Sequence, residues 1–365
     1  MGFRCGIVGL PNVGKSTLFN ALTRTAAAAA ANFPFCTIEP NVGEVPVPDQ
    51  RLETLARIGR SRRAVPTRLT FVDLAGLVRG ASKGEGLGNR FLANIREVDT
   101  IAHVLRCFED DDIAHVEGRI DPVADAATVE TELRLADLES IERRLDNLAR
   151  RLRGGDREAQ TRDRLLRLAK AALEDGRPAR GVAVAPEDAR DWRGLQLLTA
   201  KPVLYVCNVD EASAATGNAQ SDRVARMAAE QGAAWVVISA AIEEEIAQLD
   251  DGERAEFLAD LGLEETGLDR LIKAGYELLD LITYFTVGPK QASAWTVVRG
   301  TRAPRAAGVI HGDFERGFIR AETIPYADFV ACNGEQGAKE AGKMRSEGKT
   351  YRVADGDVLH FLFNT

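Results

Sequence analysis

Cysteine is sparse and carries no pattern. Cys5, Cys36, Cys107, Cys207 and Cys332 are odd in number and scattered, and no two form a Cys-x-x-Cys pair. This spacing argues against a zinc site or a disulfide framework and suits a chain kept reduced in the cytoplasm. Long apolar runs are lacking too. None approaches the roughly 20 residues of a membrane-spanning helix, so no membrane partner is expected. Met1-Gly2-Phe3-Arg4 is expected to begin a strand rather than a signal peptide. Gly6 stands where N-myristoylation requires serine or threonine. Finally, there is no excess of positive charge. Forty-seven Lys and Arg face 55 Asp and Glu, for a net charge of −8. That excludes a histone-like, wholly electrostatic nucleic-acid binder and gives no ground for DNA specificity, while leaving a local basic patch open.

What is present is a chain of 365 residues, 45% hydrophobic and 28% charged, enough for two or three globular domains. Residues 3–8 read as a short buried strand. Further apolar strand candidates are Leu69–Val72, Ile101–Cys107, Val203–Cys207 and Ala234–Ile238. Helical patterns alternate with them. The expected fold class is therefore α/β, a mostly parallel, doubly wound sheet. Two segments interrupt that scheme. From about Asp125 to Ala200, Leu138, Ile141, Leu145, Leu148 and Leu152 recur at spacings of three and four, a coiled-coil seam. Gly154-Gly155 breaks it, and a second helical pattern follows through Leu165, Leu168 and Ala172. Two antiparallel helices are expected there. Their many arginines, Arg143 to Arg167, read either as a solvated face or as a binding surface. From about Thr283 the chain turns strand-rich, with candidates at Thr296–Val298, Phe318–Arg320, Tyr351–Val353 and Val358–Phe363, and a small α+β domain is expected. The alanine run Ala26–Ala31 reads as an extension of the first helix.

The densest functional signal is Gly9-Leu-Pro-Asn-Val-Gly14-Lys15-Ser16, set between a buried strand and a helix. Glycines there let the backbone curl around phosphate oxygens. The amides of Asn12, Val13 and Gly14, with the helix N-terminus, then present positive charge to them. Lys15 is expected to reach the β- and γ-phosphates, Ser16 to ligate Mg²⁺, and Thr17 to hold the α-phosphate. Asp73, at a strand end and three residues before Gly76, is placed to orient a water on Mg²⁺, and the Gly76 amide to sense the γ-phosphate. Asp-x-x-Gly also makes ordinary turns. Thr37, in a loop after the first helix, offers a second hydroxyl for Mg²⁺ when triphosphate is bound. Asn208-Val209-Asp210-Glu211 follows a buried strand where translation-factor-like GTPases carry Asn-Lys-x-Asp. Glu211 is one methylene longer than the aspartate that reads guanine, and Val209 replaces the lysine, so a guanine fit is compromised. Ser239 and Ala240 match the last base-contact loop.

Taken together, the stretches GLPNVGKS, NFPFCTIEPN, DLAGLVRGASKGEGLGNRFL, RCFEDDDIAHVEGRIDP, GFIRAE and DGDVLHFLFN, with the Asn-x-x-Glu element and the segment Asn333–Lys349, resemble the YchF/Obg-like ATPases over essentially the whole chain. The resemblance implies three parts: a GTPase-like P-loop domain over 1–124 and 201–282, a coiled-coil insertion over 125–200, and a C-terminal TGS domain of β-grasp type over 283–365. It also implies ATP rather than GTP as substrate with Mg²⁺ as cofactor, and association with the ribosome or its large subunit.

Ras-like enzymes place a glutamine after Asp-x-x-Gly to orient the attacking water. Here Leu77 stands there, so intrinsic turnover is expected to be slow, and another side chain, a partner or a K⁺ ion must help. His115, after the acidic turn Glu109–Asp112, is the candidate catalytic residue and matches a histidine proposed for catalysis in the family. The alternative is a loop histidine partnered by neighbouring carboxylates. Three functions remain in competition at this point: a ribosome-associated ATPase, a nucleotide-gated protein adaptor in stress regulation, and a GTP-dependent switch. In the first, Arg299, Arg302, Arg305, Arg316 and Arg320 are candidate RNA phosphate contacts, unless they are simply a solvated sheet face.

Overall fold

The computed structural model describes residues 3–30, 42–74, 87–110, 113, 115 and 118–364. In chain order its elements begin with β1 (Arg4–Val8), α1 (Lys15–Ala30), β2 (Val42–Pro46), α2 (Gln50–Ile58), β3 (Ala64–Val65) and β4 (Arg68–Asp73). They continue through α3 (Leu87–Glu97), β5 (Thr100–Arg106), α4 (Pro122–Arg153), α5 (Arg157–Glu174), α6 (Ala189–Gly194) and β6 (Val203–Asn208). Next come α7 (Ala219–Gln231), β7 (Ala234–Ile238), α8 (Ala240–Ile246), α9 (Asp251–Asp260), α10 (Gly267–Leu278), β8 (Leu281–Val287) and β9 (Ala292–Val298). Last are α11 (Ala303–Ile310), α12 (Gly312–Arg316), β10 (Phe318–Pro325), α13 (Tyr326–Ala331), α14 (Glu335–Glu340), β11 (Arg345–Glu347) and β12 (Asp357–Phe363).

One sheet runs in the order β2-β4-β1-β5-β6-β7. The pairs β1–β4, β1–β5, β5–β6 and β6–β7 are parallel. Every residue of β5 and β6 is buried, which is why these strands read as largely apolar, interrupted by Thr100, His103 and Arg106 in β5 and by Asn208 at the end of β6. After β1 the chain winds to β4 on one side and returns to β5 on the other. The C-terminal end of β1 is thus the point where strand order reverses, the crevice in which open α/β sheets bind ligands.

The helical segment has clear local causes. Asp121 caps α4, accepting from the Ala124 amide at 3.2 Å, and Pro122 opens it. Gly154 and Gly155 end it, and Asp156 caps α5. Leu138, Ile141, Leu145, Leu148 and Leu152 pack against Leu165, Leu166, Ala169 and Leu173. The fully buried Ile141, Leu165 and Leu166 each contribute roughly 2–3 kcal/mol. No described helix is long and apolar enough to cross a membrane.

Contacts divide the chain into two compact units, one of Phe3–Gly43 and Thr70–Gly275, the other of Met1–Gly2, Glu44–Leu69 and Tyr276–Thr365. This corrects the expected boundaries at two places. Residues 44–69, expected in the P-loop domain, belong with the C-terminal sheet, and 125–200 is not a separate unit. The reason lies in packing. The apolar stripe of α2 (Leu52, Leu55, Ala56) packs on Phe285, Ala292, Ala294, Phe329 and Val358, and β3 pairs in parallel with β9, Ala64 opposite Ala292.

That second sheet is mixed, in the order β11-β10-β12-β8-β9-β3. Its alternation sends Ile282 and Tyr284 to one core with α11, and Phe285 to the other with α2, α13 and α14. The strand expected at Tyr351–Val353 is reduced to an isolated bridge between Arg352 and Arg302.

Candidate nucleotide site

The P-loop leaves β1 and turns through two left-handed residues, Asn12 (φ 61°) and Gly14 (φ 92°). Gly14 is required twice over. Besides its φ, a Cβ there would lie 2.2 Å from Asn208 Nδ2. That closeness serves a purpose. Asn208, 4% exposed at the end of β6, donates from Nδ2 to Val13 O at 3.0 Å and accepts at Oδ1 from the Ala240 amide at 2.9 Å. One side chain therefore pins the P-loop to the loop after β7. Helix α1 starts at Lys15, its first bond running from Leu18 N to Gly14 O. The amides of its first turn have no partner within the helix and are free to meet an anion.

Lys15 folds back, donating from Nζ to Leu10 O at 2.5 Å. Burial lowers its pKa to about 8, with Asp73 opposing the shift. Burial likewise raises Asp73, with Lys15 opposing. The two charges, placed by neighbouring strands with Ile7 in register with Asp73, thus face one another at the crevice. A polyphosphate restores the Lys15 charge. The Ser16 hydroxyl and the Asp73 carboxylate are hard oxygen donors that suit Mg²⁺, an ion usually held by one or two protein oxygens together with substrate phosphates.

A cavity of about 840 Å³ opens above the loop. It brings together Asn12, Gly14, Lys15, Ser16, Thr17, Asn208, Val209, Glu211, Ser239 and Ala240, all expected from sequence. Val13 sits just behind, buried, its carbonyl held by Asn208. Glu211 is exposed at the cavity rim, whereas the neighbouring Asp210 carboxylate accepts from the Ser213 amide. Ser239 Oγ is buried and has no hydrogen-bond partner among the described residues, a state that a bound polar group would relieve.

The cavity also includes residues that sequence reasoning did not single out: Phe108, Glu109, Asp110 and Ile113 from the segment after β5, and Ala212 and Ala241. A weak signal existed, since Phe108 follows an apolar strand whose end lies beside β1. Thr37, Gly76, Leu77 and Cys36 lie outside the described residues. His115 is not brought into the cavity. Its Nε2 lies 2.9 Å from Asp125 Oδ2 in the first turn of α4, and both side chains are buried. That is the carboxylate-partnered arrangement, not an open approach to phosphate. The four other described cysteines are free thiols.

Residues 4–138 match the family described as "50S ribosome-binding GTPase". Residues 281–364 match the YchF-GTPase C-terminal family, described as a protein of unknown function. Among curated proteins, the chain is 58% identical to the "Ribosome-binding ATPase YchF" of Haemophilus influenzae and 52% identical to that of Bacillus subtilis, with 100% of each chain covered. Among solved structures, the Schizosaccharomyces pombe "YchF GTPase" superposes with a TM-score of 0.89 at 36% identity, covering 99% of this chain and 98% of that one.

Proposed function

The chain belongs to the YchF family of P-loop nucleoside triphosphatases, and from that premise we propose that it binds ATP with Mg²⁺, hydrolyses it slowly, and acts in association with the ribosome in the cytoplasm. The observation that carries the reading is the 840 Å³ cavity formed by P-loop, Asn208 and Ser239–Ala240 together. Lys15, the N-terminus of α1 and the Ser16 hydroxyl line it together with the apolar side chains of Phe108, Ile113 and Val209.

In this reading the phosphates lie on the amides of 12–17 and on Lys15. Ser16 would hold Mg²⁺, with Asp73 orienting a water on it and Thr37 added when triphosphate is bound, and the Gly76 amide would meet the γ-phosphate. Mg²⁺ supplies charge neutralisation on the β- and γ-phosphates. The base lies between the Phe108 and Val209 sides of the cavity. Glu211 at the rim stands where a guanine-reading aspartate would be, and this supports ATP over GTP; the curated relatives are named ATPases, the similar solved structure a GTPase. Leu77 cannot orient water, so His115, a partner or K⁺ does so. For His115 this requires release from Asp125. The two-helix segment acts as a coiled-coil insertion, and the C-terminal mixed sheet as a TGS domain of β-grasp type. Both are partner-facing, toward the large ribosomal subunit or RNA.

Calorimetric titration with ATP and with GTP in Mg²⁺ tests the base preference. Tighter GTP binding overturns it in favour of a GTP switch. Co-sedimentation with ribosomes tests the association. RNA-independent capture of a protein partner without ribosome binding would favour the adaptor reading.

A further inference from the structure

The arginines that sequence singled out for RNA are mostly neutralised in place. Arg299 pairs with Asp280, Arg305 with Glu315, Arg316 with Asp313 and Arg320 with Glu322. On the helical segment Arg151, Arg162, Arg164 and Arg167 pair with Asp156, Glu158, Asp188 and Asp163. A different set is free. Arg57, Arg60, Arg62, Arg63 and Lys290 are all exposed, and none makes a side-chain hydrogen bond or ion pair among the described residues.

These five come from the last turn of α2, the segment that follows it and the β8–β9 turn, and the two segments are stitched together. The chain leaves α2 through Gly59 and Arg60, and then Ser61 Oγ donates to Gly288 O at 2.7 Å. The Arg62 amide donates to Pro289 O at 3.2 Å, and Arg63 O accepts from the Ala292 amide at 2.9 Å. Lys290 follows Pro289 in the β8–β9 turn. The helix ends with Arg60 in the left-handed conformation, φ 50°, where glycine is the usual residue. Glycine instead stands one position earlier, because a Cβ on Gly59 would lie 2.3 Å from Val287 Cγ1. The close approach of α2 to β8 is thus secured by Gly59. Arg60 is left holding a backbone conformation that disfavours a non-glycine residue.

Beside this array lies a cavity of about 650 Å³ lined by Arg57, Arg60, Phe329, Asn333 and Gln336, with Glu335 as its one carboxylate among the described residues. Asn and Gln each carry both donors and an acceptor, the means to meet base edges; Gln336 Nε2 already donates to Glu340 at 2.7 Å, which leaves its oxygen and second N–H for a base. Glu53 lies one turn before Arg57 on α2.

We infer that this surface, Arg57, Arg60, Arg62, Arg63 and Lys290 with the adjoining cavity, is a docking site for single-stranded RNA. The five cations track the phosphates, and the cavity takes an unstacked base. The inference deepens the ribosome-associated reading and rests on it for its setting. Four arginines against one lysine suit planar phosphate recognition, and the amide-lined cavity favours RNA over an acidic peptide, which has no base edges to meet. The chain's net charge of −8 means that a local array, not the whole molecule, must supply the attraction.

The test is fluorescence anisotropy of the full chain with a labelled oligouridylate of about 12 nucleotides, across a salt series. Arg60→Gln/Arg62→Gln is expected to weaken binding about tenfold and to flatten the salt slope by about 1.4, two phosphate contacts at about 0.7 each. Its melting temperature and ATP turnover should stay at parent values. Arg57→Gln/Lys290→Gln should act alike, while Arg153→Gln/Arg157→Gln on the helical segment should leave binding unchanged. Equal RNA affinity in the Arg60/Arg62 variant, loss confined to the Arg153/Arg157 variant, or equal capture of polyglutamate would overturn the inference. A parent that binds oligouridylate but not ribosomes would sink the ribosome reading while leaving this surface standing. Variants that lose oligouridylate yet still sediment with ribosomes would support the surface and show that the ribosome is also held elsewhere.

Discussion

Arg106 lies with its guanidinium carbon 4.6 Å from the centre of the Phe108 ring. At 1% exposure it is among the most buried large side chains of the protein. Its three nitrogens donate to the carbonyls of Phe108 (3.2 Å), Ile113 (2.8 Å) and Asp110 (3.0 Å). One cation thus holds the backbone of the segment that walls the nucleotide cavity.

Arg106→Lys keeps the charge but loses the fork that reaches three carbonyls at once. We expect the KM for ATP to rise about tenfold, about 1.4 kcal/mol of binding, with kcat within a few-fold of the parent. Steady-state kinetics beside a thermal melt check this. A KM equal to the parent's would show that Arg106 supports the fold only.

Asn208→Ala should weaken ATP binding by more than tenfold, because it frees the P-loop at Val13 and leaves the buried Ala240 amide without its acceptor. An orphaned buried group alone costs about 1–3 kcal/mol. Asn208→Asp keeps the acceptor for Ala240 but loses the donor to Val13, and should fall between parent and alanine variant in thermal stability. Calorimetry and melting curves report both.

Burial lowers the Lys15 pKa to about 8, below its unfolded value. Charging it therefore opposes folding, so the penalty is full below pH 8 and is relieved as pH climbs from 8 toward 10.5. Polyphosphate raises the pKa again, so ATP binding at pH 8 should take up about half a proton, and almost none at pH 6.5. Binding heats measured in buffers of different ionisation enthalpy give this number. No uptake at pH 8 would mean that Lys15 is already charged.

Glu243 caps the start of α10, accepting from the Gly267 amide at 2.7 Å and from the Leu268 amide at 3.3 Å. Burial nonetheless pushes its pKa up to about 7. An acid raised in the fold is stabilising when protonated, so stability should fall as pH rises from 4.5 through 7 and then level off. The contribution is on the order of 3 kcal/mol. Glu243→Gln keeps an acceptor and cannot ionise. Its denaturant midpoint should lose that dependence, while an unchanged slope between pH 5 and 7 would assign it to other groups.

His115→Ala should lower kcat about tenfold or more with KM for ATP unchanged, if the ring leaves Asp125 to orient water. Turnover and ATP affinity both equal to the parent's would reject the role and leave the Asp125 contact as purely structural.

Much of this protein was readable along the chain because its causes are local. Residues Gly9–Ser16 carry the loop, the strand before and the helix after within a single stretch. The apolar runs at 101–107 and 203–207 reflect burial on both faces. Asn208, Glu211, Ser239 and Ala240 were found by their position after such strands. The Leu138–Leu152 spacing declared two packed helices, broken where Gly154 and Gly155 stand.

Tertiary structure alone decided the rest, since each case joins residues whose separation no periodicity encodes. Asn208 meets Val13 across 195 positions. Helix α2 and β3 leave the surrounding chain to complete the C-terminal sheet. Phe108 and Ile113 become cavity walls because Arg106 folds their backbone. Which arginines are paired and which stay free depends on where the acids fall in space, and a count of charges holds no such information. The amino acids by themselves determined the chemistry available at each position. Long-range packing determined which of those groups meet.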